Sequence, residues 1–262
     1  MDYKEINRKA WNKLAEIHFD SEFYDNESFI KGRSSLNSIE LDILGDLSGQ
    51  RILHLQCHFG QDSISLQRMG AEVTGVDLSD VAIQKARALA EKTGADTRFI
   101  CSDIYDLPNV LDEKFDWVFT SYGVIGWLPD MKKWAETVSH FLVPGGKLLL
   151  VEFHPVVWMF DDQFSKIEYG YFNHGPIIET SEGSYTDREA DVSNENVSWN
   201  HGLSEVVGSL LDQKFLISQL KEYNYSPYDC FKGTEEFEKG RFRIKNMGDK
   251  LPMTYSLLAE KQ

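Results

Sequence analysis

The chain reads as an α/β protein, a twisted and mainly parallel sheet wound with helices on both faces. Three observations predict this. Between Arg51 and Phe153, short apolar runs alternate with stretches of helical periodicity. The segment Arg51–Ser63 has the pattern strand, tight loop, helix, and a second apolar strand, Glu72–Val76, follows it and ends on Asp77. Pro144-Gly145-Gly146 then makes a sharp turn into the apolar run Lys147–Phe153. Strands joined by helical right-handed crossovers lie parallel and are covered on both sides.

The elements follow in order. Tyr3, Ile6, Ala10, Leu14 and Ile17 recur at intervals of three and four, so residues 3–18 are predicted to be helical. Phe19 to Arg33 is polar and aromatic without a period. A second helix is expected from Ser34, with Leu36, Ile39, Ile43 and Leu47 on its apolar stripe. Strands are expected at 52–55, 73–76, 97–101 and 115–121, with helices at 61–69 and after Ser79, whose hydroxyl suits an N-cap. Asp130 suits the cap of a helix that buries Met131, Trp134, Val138 and Phe141. After the strand 147–153, residues 154–202 break the rhythm and are read as an insertion with a β-hairpin. Ser204 is expected to cap a helix carrying Val206, Val207, Leu210 and Leu211. A strand at 214–222, an irregular insertion at 223–250 and a last strand at 253–260 complete the chain.

Composition bounds the function. The 262 residues suffice for one large α/β domain with insertions or for two small ones. Lys plus Arg is 27 against 42 for Asp plus Glu, a net charge of −15. Such a field repels nucleic-acid backbones and anionic membranes, and no Lys/Arg run offers a local exception. No apolar run approaches bilayer length. The first residues, Met1-Asp2-Tyr3-Lys4-Glu5, lack an apolar signal core. Cys57, Cys101 and Cys230 are odd in number and widely spaced, which suits reduced thiols and a cytoplasmic location rather than a disulfide framework. Cys57 and His58 have no second ligand pair, so no metal site is expected.

The chemistry starts at Asp77. An acid at the end of the second strand, roughly twenty residues beyond a strand-to-helix loop, can accept hydrogen bonds from the two hydroxyls of a ribose. Helix capping is the competing role, and Ser79 can serve there instead. A nucleoside cofactor is the expectation.

Five segments together carry a family likeness. Leu53-His54-Leu55-Gln56-Cys57-His58-Phe59-Gly60-Gln61-Asp62-Ser63 resembles the first motif of class I S-adenosylmethionine-dependent methyltransferases. Gly75–Ser79, Cys101–Ile104, Phe115–Ser121 and Leu142–Leu150 resemble the second, third and fourth motifs and the turn into the fifth strand. All five stand in family order and at family spacing over residues 51–153. The resemblance implies a Rossmann-like seven-stranded sheet with an antiparallel last strand. It also implies a cofactor, S-adenosyl-L-methionine, released as S-adenosyl-L-homocysteine. The expected division is an N-terminal helical lid at 1–50 and a methyltransferase domain at 51–262, with substrate-side insertions at 154–202 and 223–250.

On that likeness Asp77 grips the ribose, Leu78 packs on the adenine, Asp103 receives the adenine amine, and Ser102 and Ile104 flank the ring. Gln56, Cys57, His58 and Gly60 face the methionine portion. Ser121 and Tyr122 lie beside the methyl group, and Tyr24 and Arg33 are possible contacts from the N-terminal segment. Tyr122 and His154 are the candidate catalytic residues, His154 as a general base. The first motif departs from the family pattern: His54 replaces the usual acid, and Gln56 and His58 replace glycines. What holds the methionine amino group is thereby left open.

The reaction implied is in-line displacement on a small-molecule acceptor, in a pocket built by the aromatic-rich insertions. An exocyclic base amine in DNA is set aside, because Ser121-Tyr122-Gly123-Val124 stands where such enzymes carry Asn/Asp-Pro-Pro-Tyr. Two rivals remain. One is a protein that binds the cofactor or its product without turnover. The other is a nicotinamide-dependent oxidoreductase, which would need a Gly-x-Gly-x-x-Gly loop that this chain lacks. Nothing in the sequence sets the oligomeric state.

Overall fold

The computed structural model describes residues 1–262. Five strands, β1 (Arg51–Leu55), β2 (Glu72–Asp77), β3 (Arg98–Cys101), β4 (Phe115–Ser121) and β5 (Leu142–Phe153), run parallel. They are joined through α4 (Gln61–Arg68), α5 (Asp80–Thr93) and α6 (Met131–Phe141). α7 (Leu203–Asp212) leads to β8 (Phe215–Tyr223), and β11 (Thr254–Lys261) inserts antiparallel between β5 and β8. The order is β3-β2-β1-β4-β5-β11-β8. It reverses direction at β1, which pairs with β2 on one side and β4 on the other. A crevice therefore opens beyond the carboxyl ends of β1, β2 and β4.

The period of two in the strands sorts the core into two layers. Leu53, Leu55, Leu148 and Leu150 face α6 and α7, where Trp134, Phe141, Val206 and Leu210 are buried. Ile52, Leu149 and Val151 face the other side with Trp117, Phe119 and Leu66. A slip of one residue would exchange these sets, so the register is strongly determined.

Local chemistry explains the boundaries. Ser79 Oγ accepts from Ala82 N, and Asp130 accepts from the amides of Lys132 and Lys133, so both cap as expected. Ser204 does not. α7 starts two residues earlier than such a cap implies, with Gly202 at the cap position and no side-chain cap bond. The second helix expected from Ser34 begins later, as α3 (Ser38–Leu44), and a short helix, α2 (Asn26–Ile30), forms in the stretch read as irregular. There Asp25 supplies the cap, accepting from Ser28 N. The insertion at 154–202 does contain a hairpin, β6 (Ile177–Glu182) with β7 (Ser193–Ser198). The insertion at 223–250 contains another, β9 (Thr234–Glu238) with β10 (Arg241–Ile244), which was not expected.

The lid expected over residues 1–50 needs correction. Leu36, Ile39, Leu44 and Leu47 are buried in the second core layer beside Ile52 and Trp117, so α3 belongs to the sheet domain. Only the preceding segment lies across the sheet's rim. α1 (Tyr3–Phe19) is tied to β7 by Asn7, whose amide donates to Val197 O at 2.8 Å and accepts from Val197 N at 2.9 Å. Asn7, Ala10, Ala15 and His18 form the buried face of this helix, and of the expected apolar stripe Ala10 alone is among them.

Candidate functional site

The loop after β1 explains how a non-glycine motif can fold. Gln56, His58 and Gly60 have φ of 56°, 52° and 79°. The backbone thus keeps the left-handed turns that the family serves with glycine, at a cost of roughly 1 kcal/mol for each side chain. Gly60 itself has no such latitude. A Cβ there would lie 2.5 Å from Phe99 Cζ. The same close approach recurs at Gly75, where a Cβ would lie 2.8 Å from the Phe99 ring and 2.9 Å from Cys57 Sγ.

Asp77 ends β2 against this loop. Its Oδ2 accepts from His58 N at 2.8 Å and its Oδ1 from Ser79 N at 2.8 Å. Burial pushes its carboxyl up to about 6, against the lowering effect of the Ser79, His58 and Leu78 amides. Each carboxylate oxygen keeps a second lone pair, which two ribose hydroxyls could use. Ser102 N donates to Asp77 O at 2.9 Å, so the turns after β2 and β3 are tied together. Leu78 is half-buried.

Other expected residues fall as follows. Asp103 accepts from Tyr105 N and forms an ion pair with Lys4 at 2.9 Å, so α1 reaches the position expected for the adenine amine. Ile104 is buried in the first core layer with Leu107, which removes its side chain from the crevice wall. Cys57 is buried, and burial pushes its thiol well up, so it is a packing residue and not a nucleophile. Ser121 Oγ donates to Asp62 Oδ2 at 3.1 Å. Tyr122 has φ 36° and its ring packs on Tyr228 and Phe153. The Tyr24 and Tyr185 hydroxyls meet at 2.5 Å. Arg33 spends its guanidinium on the carbonyls of Tyr24 and Asp25, within its own segment.

His154 is corrected. Its Nδ1 accepts from Val156 N at 3.2 Å and its Nε2 meets Glu222 Oε1 at 2.8 Å. Burial holds it below the usual imidazole range, against the pull of Glu222. The neutral ring therefore donates through Nε2 and accepts through Nδ1. With both nitrogens committed, it has no free lone pair for an acceptor's proton in this arrangement.

Several site residues were missed in the sequence. Glu152 is buried and takes the amides of Gly123, Val124, Ile125 and Phe153, with the Val124 bond at 2.8 Å. Gln56 Nε2 donates to Val124 O at 2.8 Å. Together they clamp the loop after β4. His18 Nδ1 meets His58 Nε2 at 3.0 Å, and His18 Nε2 meets Ser184 Oγ at 2.7 Å. Burial lowers both imidazoles, His18 to about 3, so the pair is neutral. His54 is likewise neutral, at about 3 by burial, and bonds to Ser63 Oγ at 2.8 Å. Glu40 is the one omission with a visible signal. It lies four residues after Leu36 and one after Ile39, on the apolar face of a helix where a carboxylate needs a reason.

The sheet order, the strand-end acid and the left-handed loop define a Rossmann-like fold, one shared with solved S-adenosylmethionine-dependent methyltransferases. Residues 52–146 match the methyltransferase domain family. Among curated relatives, the ubiquinone biosynthesis O-methyltransferase of Alkalilimnicola ehrlichii is 29% identical over 133 residues, 49% of this chain and 53% of that protein. The corresponding protein of Xanthomonas oryzae pv. oryzae is 30% identical over 131 residues, 49% of this chain and 54% of its own length. The chain thus spans about half the length of these relatives. An S-adenosylmethionine-dependent methyltransferase structure from Mesorhizobium loti superposes with a TM-score of 0.58 at 19% identity, covering 88% of this chain and 100% of that one.

Proposed function

We propose that the protein transfers a methyl group from S-adenosyl-L-methionine to a small-molecule acceptor. The single observation that carries this reading is Asp77. It is a buried carboxylate at the tip of β2, oriented by the His58 amide of a loop whose backbone keeps the family's left-handed turns. The residues present fit the cofactor. Asp77 would hold the ribose, and the amides at the start of α4 would face the methionine carboxylate. Gln56 Oε1, buried without a partner, leaves an acceptor on the same loop. Bound there, the cofactor supplies an electrophilic methyl on a good leaving group. This chain's part is to position the acceptor and exclude water. The Glu152 and Gln56 clamp fixes residues 123–125, the loop nearest the expected methyl. α1, the Tyr24 segment and the β6–β7 connection cover the site through the His18, Ser184 and Tyr185 contacts.

Curated relatives named as O-methyltransferases of ubiquinone biosynthesis support a small organic acceptor. No helix is long and apolar enough to cross a membrane. A cytoplasmic location, supported by the three unpaired cysteines, and the absence of a nucleic-acid partner, supported by the net charge of −15, are part of this proposal. The non-glycine loop also fits a protein that binds the cofactor without turnover. Calorimetry with S-adenosylmethionine and with a nicotinamide dinucleotide tests the binding. Mass spectrometry of a metabolite extract incubated with protein and deuteromethyl cofactor tests turnover. Tight binding with no labelled metabolite would favour the non-catalytic reading, and binding of only the nicotinamide nucleotide would overturn both.

A further inference from the structure

A second group of buried polar side chains lies beside Ser121 and Tyr122, apart from the residues expected to hold the cofactor. Glu40, on α3, is 0% exposed. Its Oε1 accepts only a long bond, 3.5 Å from Asn37 Nδ2, and its Oε2 has no hydrogen-bond partner. It adjoins the buried Tyr122 hydroxyl, whose one polar neighbour is the Glu40 carboxyl itself. Asp62, in the first turn of α4, receives the hydroxyls of Ser35 at 2.6 Å and Ser121 at 3.1 Å. Tyr228 closes the group, with its ring centroid 5.1 Å from that of Tyr122 and its hydroxyl 2.8 Å from Asn37 Nδ2. No Lys or Arg side chain forms an ion pair with either carboxyl.

We propose that this buried cluster holds the methyl acceptor, and that the acceptor is a primary or secondary amine on an apolar or aromatic framework. The proposal rests on the methyl-transfer reading and narrows it. An unpaired buried carboxyl is costly, and an ammonium repays that cost by supplying both charge and N–H donors. The Glu40 carboxyl and the Tyr122 hydroxyl oxygen each keep a lone pair that such donors can use, and the Tyr122 and Tyr228 rings offer π faces to a cation. A carboxylate or phenolate would supply no compensating positive charge and would push both carboxyls further toward their neutral forms. Burial first and the neighbouring Asp62 second push Glu40 up to about 8, and a bound ammonium favours its ionised form.

The step balances. The ammonium gives one proton to the Glu40 carboxylate. The freed nitrogen lone pair forms the N–C bond while the C–S bond breaks, leaving its electron pair on sulfur as a neutral thioether. The product leaves as a methylated ammonium, and Glu40 returns its proton to solvent.

The test uses probes matched in framework: butylamine and 2-phenylethylamine, each with its alcohol and carboxylate counterpart. Each is titrated calorimetrically into protein saturated with S-adenosylhomocysteine, and each is incubated with deuteromethyl cofactor. The amines are expected to bind and gain the heavy methyl, and the alcohols and acids to do neither. Glu40→Gln should weaken amine binding at least tenfold with S-adenosylhomocysteine affinity unchanged. Tyr228→Phe, which keeps the ring but removes the hydroxyl held by Asn37, provides a milder second variant should Glu40→Gln misfold, and a several-fold loss is expected. Preference for an alcohol or acid, binding of no probe, or amine binding untouched in both variants overturns the amine assignment. Failure to bind S-adenosylmethionine or S-adenosylhomocysteine at all overturns the methyl-transfer reading itself.

Discussion

Replacing Asp77 by alanine probes the site at its centre, because stability and binding should respond in different ways. In the free protein the carboxylate accepts two backbone amides, from His58 and Ser79. Leaving these unsatisfied costs on the order of 1–3 kcal/mol each. Against this stands the strain of keeping the charge buried. Burial raises the group from 3.8 to about 6, so the folded state binds the proton more tightly than the unfolded chain. Its contribution to stability therefore falls as pH rises from about 4 to about 6, by roughly 3 kcal/mol in total. The two effects offset near neutral pH, and the melting temperature should move little. Cofactor affinity should not be spared. Two hydroxyl-to-carboxylate hydrogen bonds are together worth about 3 kcal/mol, or roughly a hundredfold in Kd. The wild-type protein should also bind more tightly as pH rises through about 6, where Asp77 ionises, and the variant should lose that dependence. Isothermal titration of both proteins between pH 5 and 8 measures every term. Equal affinities, or a wild-type Kd flat across that range, would remove Asp77 from the site.

Three further substitutions bear on the frame. Gly60→Ala meets both a φ of 79° and a Cβ contact of 2.5 Å to Phe99, so it should destabilise by about 2–3 kcal/mol in thermal melts. A melt unchanged from wild type would mean that the loop differs from the one described. Glu152→Gln removes the carboxylate shared by the amides of residues 123–125, and hydrogen exchange at Val124 and Ile125 should accelerate at least tenfold. Unaltered protection there would end its role as a clamp. His154→Ala breaks the contacts with Glu222 and Val156 and should cost about 1–3 kcal/mol, while the shape of the pH–rate profile stays the same. Loss of a limb from that profile would restore His154 as a base.

Features set by neighbours in the chain were legible before the structure. β4 spans Phe115–Ser121 and α6 spans Met131–Phe141 behind its Asp130 cap, as read, because strand alternation and capping are local properties. The place of Asp77 at a strand end was legible for the same reason. Ser204 misled because a hydroxyl near a helix start marks a cap only if the backbone places it there, and here Gly202 takes that position. The glycine-like turns at Gln56 and His58 could not be read from residue types that disfavour them. They persist because the fold holds the loop, through the amide bond from His58 to Asp77 and the side-chain bond from Gln56 to Val124 O.

Amino-acid order by itself determined the alternation of strands and helices and the acid at the end of β2, since each follows from periodicity and turn chemistry over a few residues. Only the tertiary structure decided which side chains close the site. Tyr24 meets Tyr185 across 161 positions, Asn37 meets Tyr228 across 191, and His154 is committed to Glu222 across 68. Such pairings depend on how three separate segments pack over one rim, and no short window of sequence carries that information.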